Sequence, residues 1–153
     1  MLALLLATLL QGPSDIETLT ASADAVAHAR VMSSESHWAN GQIFTTFALK
    51  ASEAAWKGSV EKEFRVLVEG GAVGDYVQTI EGVAQFATGE EVVVFLKRRT
   101  RGVYAVDHLA LGKFALQGSR ASRDRRGLTC LGCAPNEPDD LSLSDLRARV
   151  LRK

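Results

Sequence analysis

The chain is short of the signatures that usually betray an enzyme. It has no HExxH, no GxSxG, no phosphate loop with its Lys-Ser/Thr, and no complete set of metal ligands. It has only two cysteines and none before Cys130, which excludes a disulfide framework of several bridges. No segment approaches the ~18 consecutive apolar residues of a membrane helix. No internal repeat is visible, so a solenoid is excluded. No Lys or Arg precedes the apolar leader at residues 1–10, so the positive n-region of an export signal is missing.

What is present points to a globular β protein. The 153 residues are enough for one domain with a real core, and 46% hydrophobic with 24% charged residues is ordinary for such a chain. The net charge is zero but unevenly spread. Residues 1–96 carry 5 basic and 12 acidic side chains, residues 97–126 carry 9 and 2, and residues 127–153 carry 4 of each. Pairing of strands from the first two blocks would neutralise both on one surface.

The leader at residues 1–13 has the length of a signal-peptide core, although no clean small-x-small site follows it at once. Export to the periplasm or the medium is therefore the expectation, with no stable membrane span after processing. The competing reading is an apolar N-terminal helix packed on the domain. Ser14 with Glu17 three residues on reads as a capping box, predicting a short helix from residue 15 to about 23.

From residue 25 to 116 the period is two. Residues 25–33 predict a strand, and Asn40-Gly41 after Trp38 predicts a hairpin turn. Residues 42–50 place Ile43, Thr45, Phe47 and Leu49 on one face. Residues 60–69 alternate Phe64, Val66 and Val68 against Glu63, Arg65 and Glu69. Glycines 70, 71 and 74 mark a loop, better read as a glycine hairpin or bulge than as an anion cradle. Residues 83–86 are ambiguous. Residues 92–96 form an apolar run that predicts a strand buried on both faces. Strands over 103–109 and 112–116 complete six or seven.

The domain thus spans residues 14–118. Residues 119–126 read as a basic loop inside a 119–140 linker that holds the CxxC. Residues 141–153 form a C-terminal helix capped by Ser142, with Leu143, Leu146, Val150 and Leu151 on its apolar side. The fold class is mostly β: a five- to seven-stranded antiparallel barrel with a short N-terminal and a C-terminal helix.

Few residues offer chemistry. Cys130 and Cys133 form a lone CxxC, read as a local disulfide or inert thiols, with metal binding and redox catalysis as weaker alternatives. Asp107 and His108 are adjacent, but neighbours in a strand point to opposite faces. His37 beside Trp38 is expected at an exposed turn, and His28 at a surface or half-buried strand position. Lys97, Arg98, Arg99 and Arg101 form a basic tip and a candidate interaction surface, with Tyr104 the one aromatic close by.

Some stretches resemble a known family. Ala23-Asp24-Ala25-Val26 before a strand, Trp56-Lys57-Gly58 closing the second strand, and Phe86-x-x-Gly89-Glu90-Glu91 feeding residues 92–96 are similar to the OB-like barrel of netrin modules and tissue inhibitors of metalloproteinases. Residues 89–96 and 112–114 also resemble stretches of uncharacterised exported bacterial proteins of this size. The resemblance covers residues 23–116 and implies a barrel fold. The inhibitors chelate a target's zinc through a mature N-terminal cysteine. This chain has no cysteine there, so that mode does not carry over.

The expectation is a non-enzymatic exported binding module without a cofactor, its partner a protein such as a secreted enzyme. The alternatives are an OB-type single-stranded nucleic-acid binder using the basic tip, and a small hydrolase.

Overall fold

A computed structural model describes residues 9–11, 15–125, 128–131 and 138–152. In chain order the elements are β1 (Leu9–Gln11), α1 (Ile16–Ser22), β2 (Ala25–Ala39), β3 (Gln42–Ala51), β4 (Glu63–Glu69), β5 (Gly71–Val73), β6 (Tyr76–Gln78), β7 (Glu91–Thr100), β8 (Val103–Val106), a 3-10 turn (Leu109–Gly112), β9 (Lys113–Gln117), β10 (Arg120–Ser122), β11 (Thr129–Leu131), β12 (Asp140–Ser142) and α2 (Leu143–Leu151). The protein is mostly β, with two helices. Eight strands form one mixed sheet in the order β12-β10-β9-β7-β2-β3-β4-β8, and β8 lies beside β7 as well as β4. All its pairings are antiparallel except β4–β8. β5 and β6 form a small hairpin, and β1 pairs in parallel with β11. Among the described residues no helix is long and apolar enough to cross a membrane.

The alternation of β7 explains the core. Val92, Val94 and Leu96 point into one cluster with Ala25, Ala27, Ala29, Leu49, Phe64, Val66 and Tyr104. Val93 and Phe95 point the other way, into a cluster with Val26, Phe114, Leu116 and the helix residues Ile16, Leu19, Leu146 and Val150. Both faces of β7 are buried, as its unbroken apolar run predicts. α1 and α2 pack side by side on the second cluster, joined at their surface by Arg149 donating to both carboxylate oxygens of Glu17.

A short linkage ties α1 to the sheet. Trp56 and Lys57 lie against the start of β2, where Val26 and Lys57 form an isolated bridge. The Lys57 ammonium donates to the carbonyls of Thr20, Ala21 and Ala23, satisfying acceptors that the end of α1 leaves open. Gly58 has φ +62, and a Cβ there would collide with the Asp24 carbonyl, so only glycine fits.

Several expectations change. α1 is capped by Asp15, whose carboxylate accepts from the Thr18 N–H, so the start lies one residue later than a Ser14 cap implies. Residues 119–126 are not all loop: Arg120–Ser122 is β10, held between β9 and β12 because Ala121 fills the helix-side cluster. Leu141 lies in β12 rather than the helix, which starts at Leu143 behind the Ser142 cap. Residues 83–86 form no strand; Ala84 is buried from an irregular segment. Neutralisation also differs from the two-block expectation. Glu90 does meet Lys113, but Arg120, Arg123 and Arg125 pair with Asp139 and Asp140 from the third block, because β12 brings those aspartates beside β10.

Candidate functional site: two hairpins and an exposed aromatic pair

The Asn40-Gly41 turn, with φ of 51° and 77°, closes the β2–β3 hairpin at the Ala39–Gln42 pair. Positive φ at both central residues matches the right-handed twist of the flanking strands. β2 pairs with β7 only from Ala25 to Arg30, then runs on past a bulge at Met32 to Ala39. Its second half projects beyond the sheet on that side.

The β5–β6 hairpin packs on this projection. Gly71 lies so close to Ser36 and Thr45 that a side chain there would overlap both hydroxyls. Those hydroxyls share a hydrogen bond of 2.8 Å, and the Thr45 hydroxyl donates to the Gly70 carbonyl, also at 2.8 Å. The Ile43 N–H donates to the Gln78 side-chain oxygen at 2.7 Å. These contacts fix Tyr76 edge-on to Trp38, with centroids 5.6 Å apart and planes at 75°. Trp38 is 49% exposed, Tyr76 67% and Val77 74%. The two packed hairpins thus gather exposed aromatics into one patch, which makes it a candidate interaction surface where scattered apolar residues would not be. Residues 31–49 and 66–90, which build this end, contain Glu35, Glu69, Asp75, Glu81 and Glu90 but no Lys or Arg.

The basic tip divides among different surroundings. The Arg98 guanidinium sits over the Tyr104 ring at 5.3 Å and donates to the Tyr104 hydroxyl at 3.1 Å, while the Arg98 backbone N–H donates to the Asp24 carboxylate at 2.8 Å. The Tyr104 hydroxyl in turn donates to Glu61 at 2.8 Å. Burial, then the bond to Glu61, pushes the Tyr104 phenol up to about 12. The Glu61 carboxyl is held below its usual range by a bond from its own backbone N–H and by Tyr104. Arg98 is thus engaged in closing the sheet's β7–β8 corner, and Tyr104 is buried where no base could stack on it. Lys97 stands opposite Ala105, and Arg101 is exposed at the turn. Arg99 lines a groove of about 400 Å³ together with Phe44, Leu67, Leu109 and the acidic Glu69. Phe44 stacks on exposed His37 at 6.4 Å.

Asp107 and His108 do meet, contrary to the strand argument. β8 ends at Val106, and the left-handed backbone of His108 (φ 56°) turns its ring Nδ1 to within 3.0 Å of the Asp107 carboxylate. No hydroxyl or thiol among the described residues is hydrogen-bonded to this histidine. His28 is half-buried, with Nδ1 3.5 Å from Glu53, Nε2 3.5 Å from Glu91 and Trp56 packed edge-on. Among the described residues no group of three or more His, Cys, Asp or Glu could hold a metal ion. Of the CxxC, the backbone of Cys130 lies in β11; its side chain and Cys133 lie outside the described residues.

The sequence pattern puts Trp38 at a turn, whereas it lies in β2; Tyr76 and Val77 of β6 are no part of the expected surface. A signal for these last two existed: Gly74-Asp75 is a two-residue hairpin turn followed by the strand formers Tyr76 and Val77. Scanned against protein-family models the chain matches none, and no curated protein matches it.

Proposed function

We propose that the protein is a non-enzymatic, exported binding module that engages another protein through the Trp38–Tyr76–Val77 surface, and that its sheet is an OB-type barrel of the netrin-like kind. The exposure of that aromatic pair, fixed by two interlocked hairpins, carries the binding part. The pairing order supports the barrel: β2, β3 and β4 run as an antiparallel meander, β4 pairs in parallel with β8, and β8 returns through β7 to β2. The netrin-like part is supported by the meeting of its motifs, Trp56-Lys57-Gly58 against Ala23-Asp24-Ala25-Val26. The partner class implied by the resemblance is a secreted enzyme. Export rests on the apolar leader.

The test is a photo-crosslinking residue placed at Tyr76, with one at Arg101 as control, in protein recovered from the extracytoplasmic fraction. The expected result is a discrete adduct from position 76 only, lost on Trp38→Ala, with a shortened intact mass. An uncleaved cytosolic chain overturns the export reading, and ester or peptide turnover abolished by His108→Ala overturns the non-enzymatic one. One observation favours single-stranded nucleic acid instead: Phe44 and Arg99 line one groove. Retention on single-stranded DNA that falls steeply with salt and is lost in Arg99→Ala is the outcome that reading requires.

A further inference from the structure

The outer edge of β2 changes character at Val31. Up to that residue it is satisfied: the Val31 N–H donates to the Glu90 carbonyl, and the Val31 carbonyl accepts from Gly89. Beyond it the hairpin register decides which backbone groups face outward. The two-residue turn makes Ala39–Gln42 a hydrogen-bonded pair, so His37–Phe44, Glu35–Thr46 and Ser33–Ala48 are hydrogen-bonded too. Ser34, Ser36 and Trp38 therefore direct their N–H and carbonyl groups away from β3. No hydrogen bond to the backbone of these three is made among the described residues. This is an open strand edge, the kind that adds another strand.

We propose that this edge pairs with the same edge of a second copy of the chain, antiparallel, with the twofold axis at Ser36. Ser36 then exchanges both backbone bonds with the partner's Ser36, and Ser34 with the partner's Trp38. Glu35 falls in a non-hydrogen-bonded position opposite the partner's His37, where side chains approach most closely and an imidazole N–H can donate to the carboxylate. Bulky Trp38 falls opposite small Ser34. The neighbouring registers are worse: centring on Glu35 opposes two carboxylates, and centring on His37 opposes two histidines and shortens the ladder. The charge pattern thus selects one register and one occupant. A contact of a few strand residues buries less than the ~1,000 Å² of a stable interface, so the dimer is weak and concentration-dependent. The pairing uses the strand edge and does not rest on the protein-binding reading. It places two Trp38–Tyr76 pairs on one face of a continued sheet.

Sedimentation of the full chain at increasing concentration tests this, beside Ser34→Pro, Glu35→Lys and the double variant Glu35→Lys/His37→Glu. Ser34→Pro removes only an outward N–H, so the internal ladder survives and circular dichroism should be unchanged. The expected result is a wild-type dimer weakened about tenfold or more by Ser34→Pro. Glu35→Lys should weaken it as well, and the double variant should restore it. A wild type that stays monomeric at about 1 mM, a concentration where even millimolar affinity registers, overturns the proposal. So does a dimer that survives Ser34→Pro, or one that the double variant fails to restore. Loss of the Tyr76 crosslink without change in sedimentation separates failure of partner binding from failure of the dimer.

Discussion

The two halves of β2 obey the same backbone geometry and meet opposite fates. From Ala25 to Val31 the strand has neighbours on both edges, and most of its side chains are buried. From Met32 to Ala39 it has one neighbour, and its side chains are exposed or half-buried. The buried positions of the root are all Ala or Val, small enough to pass between the two clusters on either side of the sheet, while His28 and Arg30 stand at its half-buried and exposed positions. The projecting half is Ser-Ser-Glu-Ser-His-Trp, which cannot enter a core and is held straight by β3 and by the β5–β6 hairpin laid across it. Stability resides in the root and its surroundings, whereas recognition is assigned to the projection.

That contrast predicts a graded series. The largest effect belongs beside the root: Phe95→Ala empties a fully buried position on β7 and should cost about 3–5 kcal/mol in denaturant unfolding. Gly58→Ala, against the Asp24 carbonyl at positive φ, should cost about 1–3 kcal/mol and lower the melting temperature without changing the Tyr76 crosslink. Lys57→Met, which leaves the end of α1 without its donor, should cost about 1–2 kcal/mol. Glu17→Gln should be smaller still, about 0.5 kcal/mol at neutral pH for a partly exposed pair. Its bond from Arg149 holds the Glu17 carboxyl below its usual value of 4.5. The contribution is therefore complete above pH 4.5 and fades as pH falls through the lower folded value, so the melting gap to wild type should close in strong acid. At the projection, Trp38→Ala should move stability by no more than about 0.5 kcal/mol while abolishing the crosslink. A large unfolding effect there would break the contrast.

The sequence disclosed the elements whose signals are local and periodic. The apolar run of β7, the Asn40-Gly41 turn and the alternation of β4 each state their own burial, and each holds. It concealed what depends on neighbours distant in the chain. β10 and β12 are three residues each, too short to show a period, and exist because Ala121 and Leu141 complete a cluster built mainly by other elements. The length of β2 was hidden because Ser34–His37 resemble a loop in composition; only the facing residues of β3 extend them. Of the candidate surface, Arg98 is exposed as its charge suggests, but its contacts with Tyr104, Ser59 and Asp24 come from distant parts of the chain and leave no local signal. Asp107–His108 was misjudged because the strand stops one residue before the pair, which no composition signal announces.

The single strand that leads from α1 to the Asn40-Gly41 turn also sets a direction. α1 ends beside Ala25, and α2 packs on α1, so both helices lie at one extreme of a strand whose 15 residues span up to about 45 Å at ~3.3 Å each. Anything fastened to the exposed face of α2, at Arg147 for instance, would stand at the opposite pole from Trp38. A bead, membrane or larger assembly gripping that helix would hold the aromatic pair outward, as a probe carried on a stalk.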